Sequence, residues 1–279
     1  MVNMRLYRNM ARLSGLDMFY LDTRTPGPAI LCLHGRWGRA EVWSDFMLHY
    51  GDRYRIIAPD QRGHGLSGKP GTEYTVEEMA GDVVELMDHL GIASAIFAGH
   101  SMGGAIVGYL AAKYPGYVKA AAILDKSAAG PAIAEKKPAP ERTELKDPYT
   151  GEWPLPFSTL DEAMDFLHRN SHSELEYQYF MRSLAETVEG YKMLFSSEAM
   201  ALNIANYIGW YDLLPDIRCP VLLVRSKSHE AVPDEDYAKM QALLKNCTAR
   251  EMSHPDHNVF LSNKEEFYGY FDGFLKKIL

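Results

Sequence analysis

The chain has 279 residues, a formal net charge of −8, and a composition that is 47% hydrophobic and 24% charged. This is an ordinary globular composition: it excludes disorder, and with no clustered positive field it excludes a nucleic-acid partner. The length lies near the upper limit for one hydrophobic core, so one domain with a sizeable insertion is expected. Three cysteines, Cys32, Cys219 and Cys247, are too few and too scattered for a disulfide framework or a metal site. The N-terminal residues lack the apolar region of a signal peptide, and no apolar run approaches the ~20 residues that span a bilayer. A cytoplasmic location is the expectation.

Residues 6–13 and 16–21 flank Ser14-Gly15 and read as a hairpin. Residues 29–33 form a continuous apolar run, as expected of a strand covered on both faces, and end in His34-Gly35-Arg36-Trp37-Gly38. A helix over 41–50 and a second buried strand over 55–58 follow, then a long loop from Pro59 to Gly68. Thr75 and Glu78 form a capping box for a helix with Met79, Val83, Leu86, Met87 and Leu90 on one stripe, stopped at Gly91. Residues 95–100 are another apolar strand, the helix behind it stops before Pro115, and residues 118–124 are a further strand ending at Asp125. Strands alternating with helices imply an α/β fold, a mostly parallel sheet with helices on both faces.

The alternation breaks at Ser127 and resumes near Leu214. Residues 131–156 are proline-rich and read as an extended entry; after them helices are expected over 160–169, capped by Ser158, and over 174–186. The pattern returns with a strand at 219–224, a helix at 234–244, a strand at 248–252 and a terminal helix at 264–278. The expected organisation is a core of residues 1–126 and 215–279, with residues 127–214 inserted as a helical cap after the sixth strand.

The chemistry centres on Gly99-His100-Ser101-Met102-Gly103, a G-x-S-x-G at a strand-to-helix junction, which is the pattern of a nucleophile elbow. The turn is strained and crowded, so a Cβ at either flanking glycine would collide with its neighbours. Ser101 requires a base, because a neutral hydroxyl is a poor nucleophile. Where this elbow occurs, the chain order is serine, acid, histidine, with the histidine after the last strand. His257 fits that place; His254, at the strand end and before a proline, fits it less well. Their proximity without further ligand-type residues does not make a metal site.

Taken with Leu33-His34-Gly35, Pro59-Asp60-x-Arg62-Gly63-x-Gly65-x-Ser67 and His257-Asn258-Val259, the elbow makes the chain resemble the α/β-hydrolase superfamily, in its capped esterase-like group. The resemblance implies an oxyanion hole from the backbone N–H groups of Arg36 and Met102. Their side chains are then free to shape the pocket, although an arginine in a loop is commonly a solvated charge. Trp37 reads equally as pocket wall or core. The acid departs from the family pattern. Its usual position, four residues before Pro233, holds His229. Glu230 is next door, and Asp125 at the end of the preceding strand is the alternative; Glu230 is preferred for its reach and loop position.

Gly63-His64-Gly65-Leu66-Ser67-Gly68 also matches the dinucleotide fingerprint G-x-G-x-x-G, but Lys69-Pro70-Gly71 follows where a helix would have to begin. No cofactor is expected. The resemblance implies a serine hydrolase that cleaves a small-molecule carboxylic ester through an acyl-enzyme. A lactonase or a carbon–carbon bond hydrolase would use the same triad, and a non-enzymatic small-molecule receptor shares the fold. The sequence gives no oligomeric state.

Overall fold

The computed structural model describes residues 5–130 and 145–279. Its centre is an eight-stranded sheet. In chain order the strands are β1 (Tyr7–Arg12), β2 (Asp17–Asp22), β3 (Ala29–Leu33), β4 (Arg55–Pro59), β5 (Ala95–His100), β6 (Val118–Leu124), β9 (Val221–Arg225) and β10 (Cys247–Glu251). Their spatial order is β1-β2-β4-β3-β5-β6-β9-β10. The expected hairpin is present as the antiparallel pair β1–β2; β2 also lies antiparallel to β4, and all pairings from β4 to β10 are parallel.

The period of two along the central strands sorts their side chains onto two cores. Leu31, Leu33 and Phe97 pack under α2 (Val76–His89) and α3 (Met102–Lys113), with α7 (Asp234–Leu243) adding Met240. Ile30, Cys32, Ile96 and Ala98 face α1 (Ser44–Tyr50) and α9 (Lys264–Ile278), whose Phe46, Phe267 and Phe271 are fully buried or nearly so. The Thr75 capping box forms as expected: its hydroxyl accepts from Glu78 N–H, and the Glu78 carboxylate accepts from Thr75 N–H.

The segment between β6 and β9 is not purely helical. It contains α4 (Leu160–Asn170), α5 (Glu174–Met181), a hairpin of β7 (Leu184–Thr187) and β8 (Gly190–Met193), and α6 (Ser197–Ala205). The helix expected over 174–186 therefore ends at Met181. The chain reverses through Thr187 and Gly190, where a φ of 124° and the Phe157 carbonyl, 2.3 Å from any added Cβ, demand glycine. Thr159, not Ser158, caps α4 by accepting from Glu162 N–H. Of the extended entry expected over 131–156, residues 131–144 lie outside the described residues.

In the strand order β4-β3-β5-β6, the chain leaves β3 toward β4 on one side and β5 toward β6 on the other. The loops after β3 and β5 thus stand side by side at the carboxyl ends, where open α/β sheets hold their ligands.

Candidate active site

Ser101 lies between β5 and α3 with φ 51° and ψ −117°, a conformation a non-glycine residue adopts only when its surroundings impose it. The surroundings are visible. A Cβ on Gly99 would lie 2.2 Å from the Gly103 carbonyl oxygen, and one on Gly103 would lie 2.3 Å from that of Leu33. The Ser101 N–H donates to the Leu124 carbonyl at 2.9 Å, anchoring the turn to β6.

The loop after β3 is held by side chains the sequence motifs supply. Gln61 N–H donates to His34 Nε2 at 3.0 Å, which leaves the proton on Nδ1 to donate to the Gly35 carbonyl at 2.7 Å. The Gln61 amide donates to the His34 carbonyl at 2.6 Å. Burial holds the His34 pKa well below its ordinary value, so the ring is neutral. The Asp60-x-Arg62-Gly63-x-Gly65-x-Ser67 motif is a structural knot. The Asp60 carboxylate accepts from Ala40 and Leu66 N–H, Arg62 forks onto Asp82, and a Cβ on Gly65 would strike Asp60 at 1.9 Å. The decoy glycines thus serve this loop, not a helix N-terminus.

His257 lies in the loop between β10 and α8 (Val259–Ser262). Its carbonyl accepts from His100 Nε2 at 2.9 Å, and Asp256 next to it accepts from Asn258 N–H and from the Ser173 hydroxyl, which also caps α5. His257 Nδ1 donates to Asp125 Oδ2 at 2.8 Å. Asp125 is fully buried, follows β6 with φ 48°, and accepts from Ser226 N–H on its other oxygen at 2.8 Å. This carboxylate fixes the imidazole tautomer and leaves Nε2 as the basic nitrogen.

The preference for Glu230 is corrected on this geometry. Glu230 is exposed, and no hydrogen bond or ion pair of its carboxylate is present among the described residues, although it lines a cleft with His257. His229, at the family's usual acid position, turns away with φ 60° onto Asp234 and Glu251. His254 is exposed, and its Nδ1 accepts from Asp256 N–H.

Two cavities meet at Ser101. One, of about 270 Å³, is lined by Ser101, His257, Arg36, Trp37, Tyr179 and Phe180 among others. The other, of about 310 Å³, shares Ser101 and Arg36 and is walled by Met102, Ala105, Lys126, Ile204 and Tyr207. Trp37 is thus pocket wall, with its indole N–H donating to Asp147 at 3.1 Å. The N–H groups of Arg36 and Met102 are not taken up by any loop or turn hydrogen bond among the described residues. The Arg36 side chain is not a solvated loop charge: it pairs with the fully buried Asp147 and lies 4.4 Å over the Trp37 ring. Sequence reasoning missed Asp147, Lys126 and the bond from the Tyr179 hydroxyl to the Gly35 carbonyl at 3.2 Å. Of the cap's aromatic residues, Tyr179 and Phe180 line a cavity. Trp210 instead packs on Gly108 of α3, where a Cβ would meet its ring at 2.4 Å.

The family model described as alpha/beta hydrolase fold matches residues 28–264, and the chain belongs to that family: it is a hydrolase of the α/β fold. Over 250 residues, 83% of this chain and 86% of the relative, it is 27% identical to a bifunctional esterase/perhydrolase of Acinetobacter calcoaceticus. A shorter match of 99 residues is 40% identical to the 2-(acetamidomethylene)succinate hydrolase of Mesorhizobium japonicum and spans 36% of either chain. A crystal structure of E-2-(acetamidomethylene)succinate hydrolase aligns with a TM-score of 0.82 at 25% identity, covering 98% of this chain and 100% of that one. No helix among the described residues is long and apolar enough to cross a membrane.

Proposed function

We propose that the protein is a serine hydrolase that cleaves a small-molecule carboxylic ester through an acyl-enzyme. The observation that carries this reading is the buried Asp125 carboxylate on Nδ1 of a histidine that lines one cavity with Ser101. Ser101 Oγ attacks the carbonyl carbon and His257 Nε2 takes its proton, while Asp125 holds the imidazolium in place. The N–H groups of Arg36 and Met102 bind the developing oxyanion, worth about 3 kcal/mol per donor. His257 then protonates the departing alcohol, and finally activates the water that frees the acid. Each step uses this chain's own groups and requires neither metal nor cofactor.

Residues 127–214 act as a cap in this reading: α5 supplies Tyr179 and Phe180 to the cavity wall. The same parts would open a lactone, and the relatives named as an esterase/perhydrolase and as a hydrolase of 2-(acetamidomethylene)succinate mark how far the bond cleaved can vary. The setting proposed is the cytoplasm. The test is a hydrolysis screen over ester chain lengths, lactones and diketones with wild type and Ser101→Ala. Loss of turnover by about 10⁴-fold or more in the variant supports the reading, since triad members act as a unit. Unchanged turnover in a folded variant overturns it, and binding without turnover in wild type would favour a receptor.

A further inference from the structure

The cavity on the Met102 side of Ser101 contains a cation that no step above uses. Lys126 follows Asp125 directly, and its side chain lines this cavity with Arg36, Met102 and Tyr207. Its ammonium lies 4.0 Å over the Tyr207 ring, and that ring is itself fixed by its hydroxyl, which accepts from Trp210 Nε1 at 3.0 Å and donates to the Ser127 carbonyl. Among the described residues no carboxylate pairs with Lys126. The carboxylate of Asp125 is committed to Ser226 and His257, and that of Asp147 to Arg36, Trp37 and Thr150. Arg36 also lines this cavity, and its Nε is buried with no hydrogen-bond partner among the described residues.

Such a surplus of positive charge is costly in a recess, and a ring face offsets only part of it. Burial, with repulsion from Arg36, accordingly lowers the Lys126 pKa to about 8, which leaves the ammonium charged at neutral pH. The rest of the wall is mainly apolar, with Val76, Met102, Ala105 and Ile204, and carries one amide, Asn203, whose Nδ2 donates to the Tyr74 carbonyl. A mainly apolar cavity with an ammonium that no carboxylate among the described residues pairs fits a short hydrocarbon chain ending in an anion.

The position of the channel says which part of a substrate this is. His257 must hand its proton to the leaving group, so the leaving group lies in the cavity that His257 lines. The cavity that His257 does not line is left for the acyl group. We propose that Lys126 binds a terminal carboxylate on the acyl chain, making the preferred substrates monoesters of short dicarboxylic acids or lactones whose acyl chain bears a carboxylate. This rests on the serine-hydrolase reading for its chemistry but not for its binding.

The experiment compares monoethyl succinate, glutarate and adipate with ethyl butyrate, valerate and hexanoate, in wild type, Lys126→Met and Lys126→Arg, with calorimetric binding of glutarate to each. A charge-assisted contact predicts that wild type prefers the anionic series by roughly ten- to hundredfold in kcat/KM. Lys126→Met then erases most of that ratio and weakens glutarate binding to a similar degree, while Lys126→Arg restores part of both. Preference for the neutral esters, equal loss on both series, or glutarate binding that ignores Lys126→Met overturns the proposal. If no ester is turned over by wild type, the hydrolase reading fails; glutarate binding and its loss in Lys126→Met still decide the anion site.

Discussion

Asp125 Oδ2 and His257 Nδ1 lie 2.8 Å apart although 132 residues separate them in the chain. The contact joins the end of β6 to the loop behind β10, two positions that the parallel sheet brings to one edge. Asp125→Asn keeps an acceptor for Ser226 N–H but turns the other end into an amide that cannot support an imidazolium. The expected loss is about 10⁴-fold in kcat with an unchanged melting profile, whereas Glu230→Gln stays within about threefold. Steady-state kinetics on folded variants check the ranking, and a larger loss at Glu230 would return the acid to the loop after β9.

Gly103→Ala tests whether the elbow depends on the absence of a side chain. The added Cβ would lie 2.3 Å from the Leu33 carbonyl oxygen, which is backbone and cannot swing aside. A destabilisation of about 3 kcal/mol is expected from urea unfolding. Gly116→Ala, with open space around the added methyl, serves as the control.

Asp147 is the partner of Arg36 and Trp37, whose backbone belongs to the proposed oxyanion loop. Asp147→Asn leaves a mostly buried guanidinium without its counter-charge, at a cost of about 3 kcal/mol. Because the loop then loses its anchor, kcat should fall by more than KM rises. Unfolding and kinetics together read both effects, and a variant unchanged in both would leave Asp147 without a role.

Lys126 gives a signed pH dependence. Its folded-state pKa is lowered to about 8 from 10.5, so between these values the unfolded chain holds a proton that the folded chain has released. This contribution to stability therefore rises with pH across that window. Buried tyrosines such as Tyr207, raised to about 12, act in the opposite sense at higher pH, so the quantity to measure is the difference between wild type and Lys126→Met. The variant should be the more stable at pH 7, with its advantage shrinking toward pH 10. Discrimination in favour of anionic esters should fade above about pH 8.

The elbow, its glycines and His257 were legible in the sequence because their constraints are local. Gly99 and Gly103 flank Ser101 by two residues, and His257 follows the last strand. The carboxylate that meets His257 was not, since a carboxylate at a strand end becomes a histidine partner only through tertiary placement; Glu230 has reach, but it is exposed. A usable signal was His229 at the customary acid position together with a charged residue, Asp125, closing an otherwise apolar strand. The β7–β8 hairpin was marked by Thr187 and Gly190, but its strands are only four residues each and carry little periodicity. The roles of Asp147 and Lys126 have no local signature, because each depends on what the fold sets against it.

The central claim is that Ser101 is an activated nucleophile. Treatment with a fluorophosphonate, followed by intact-mass and peptide analysis, tests it without knowledge of the substrate. The account predicts one adduct, on Ser101, formed far more slowly in Asp125→Asn. No adduct, or an adduct on another residue, would contradict it.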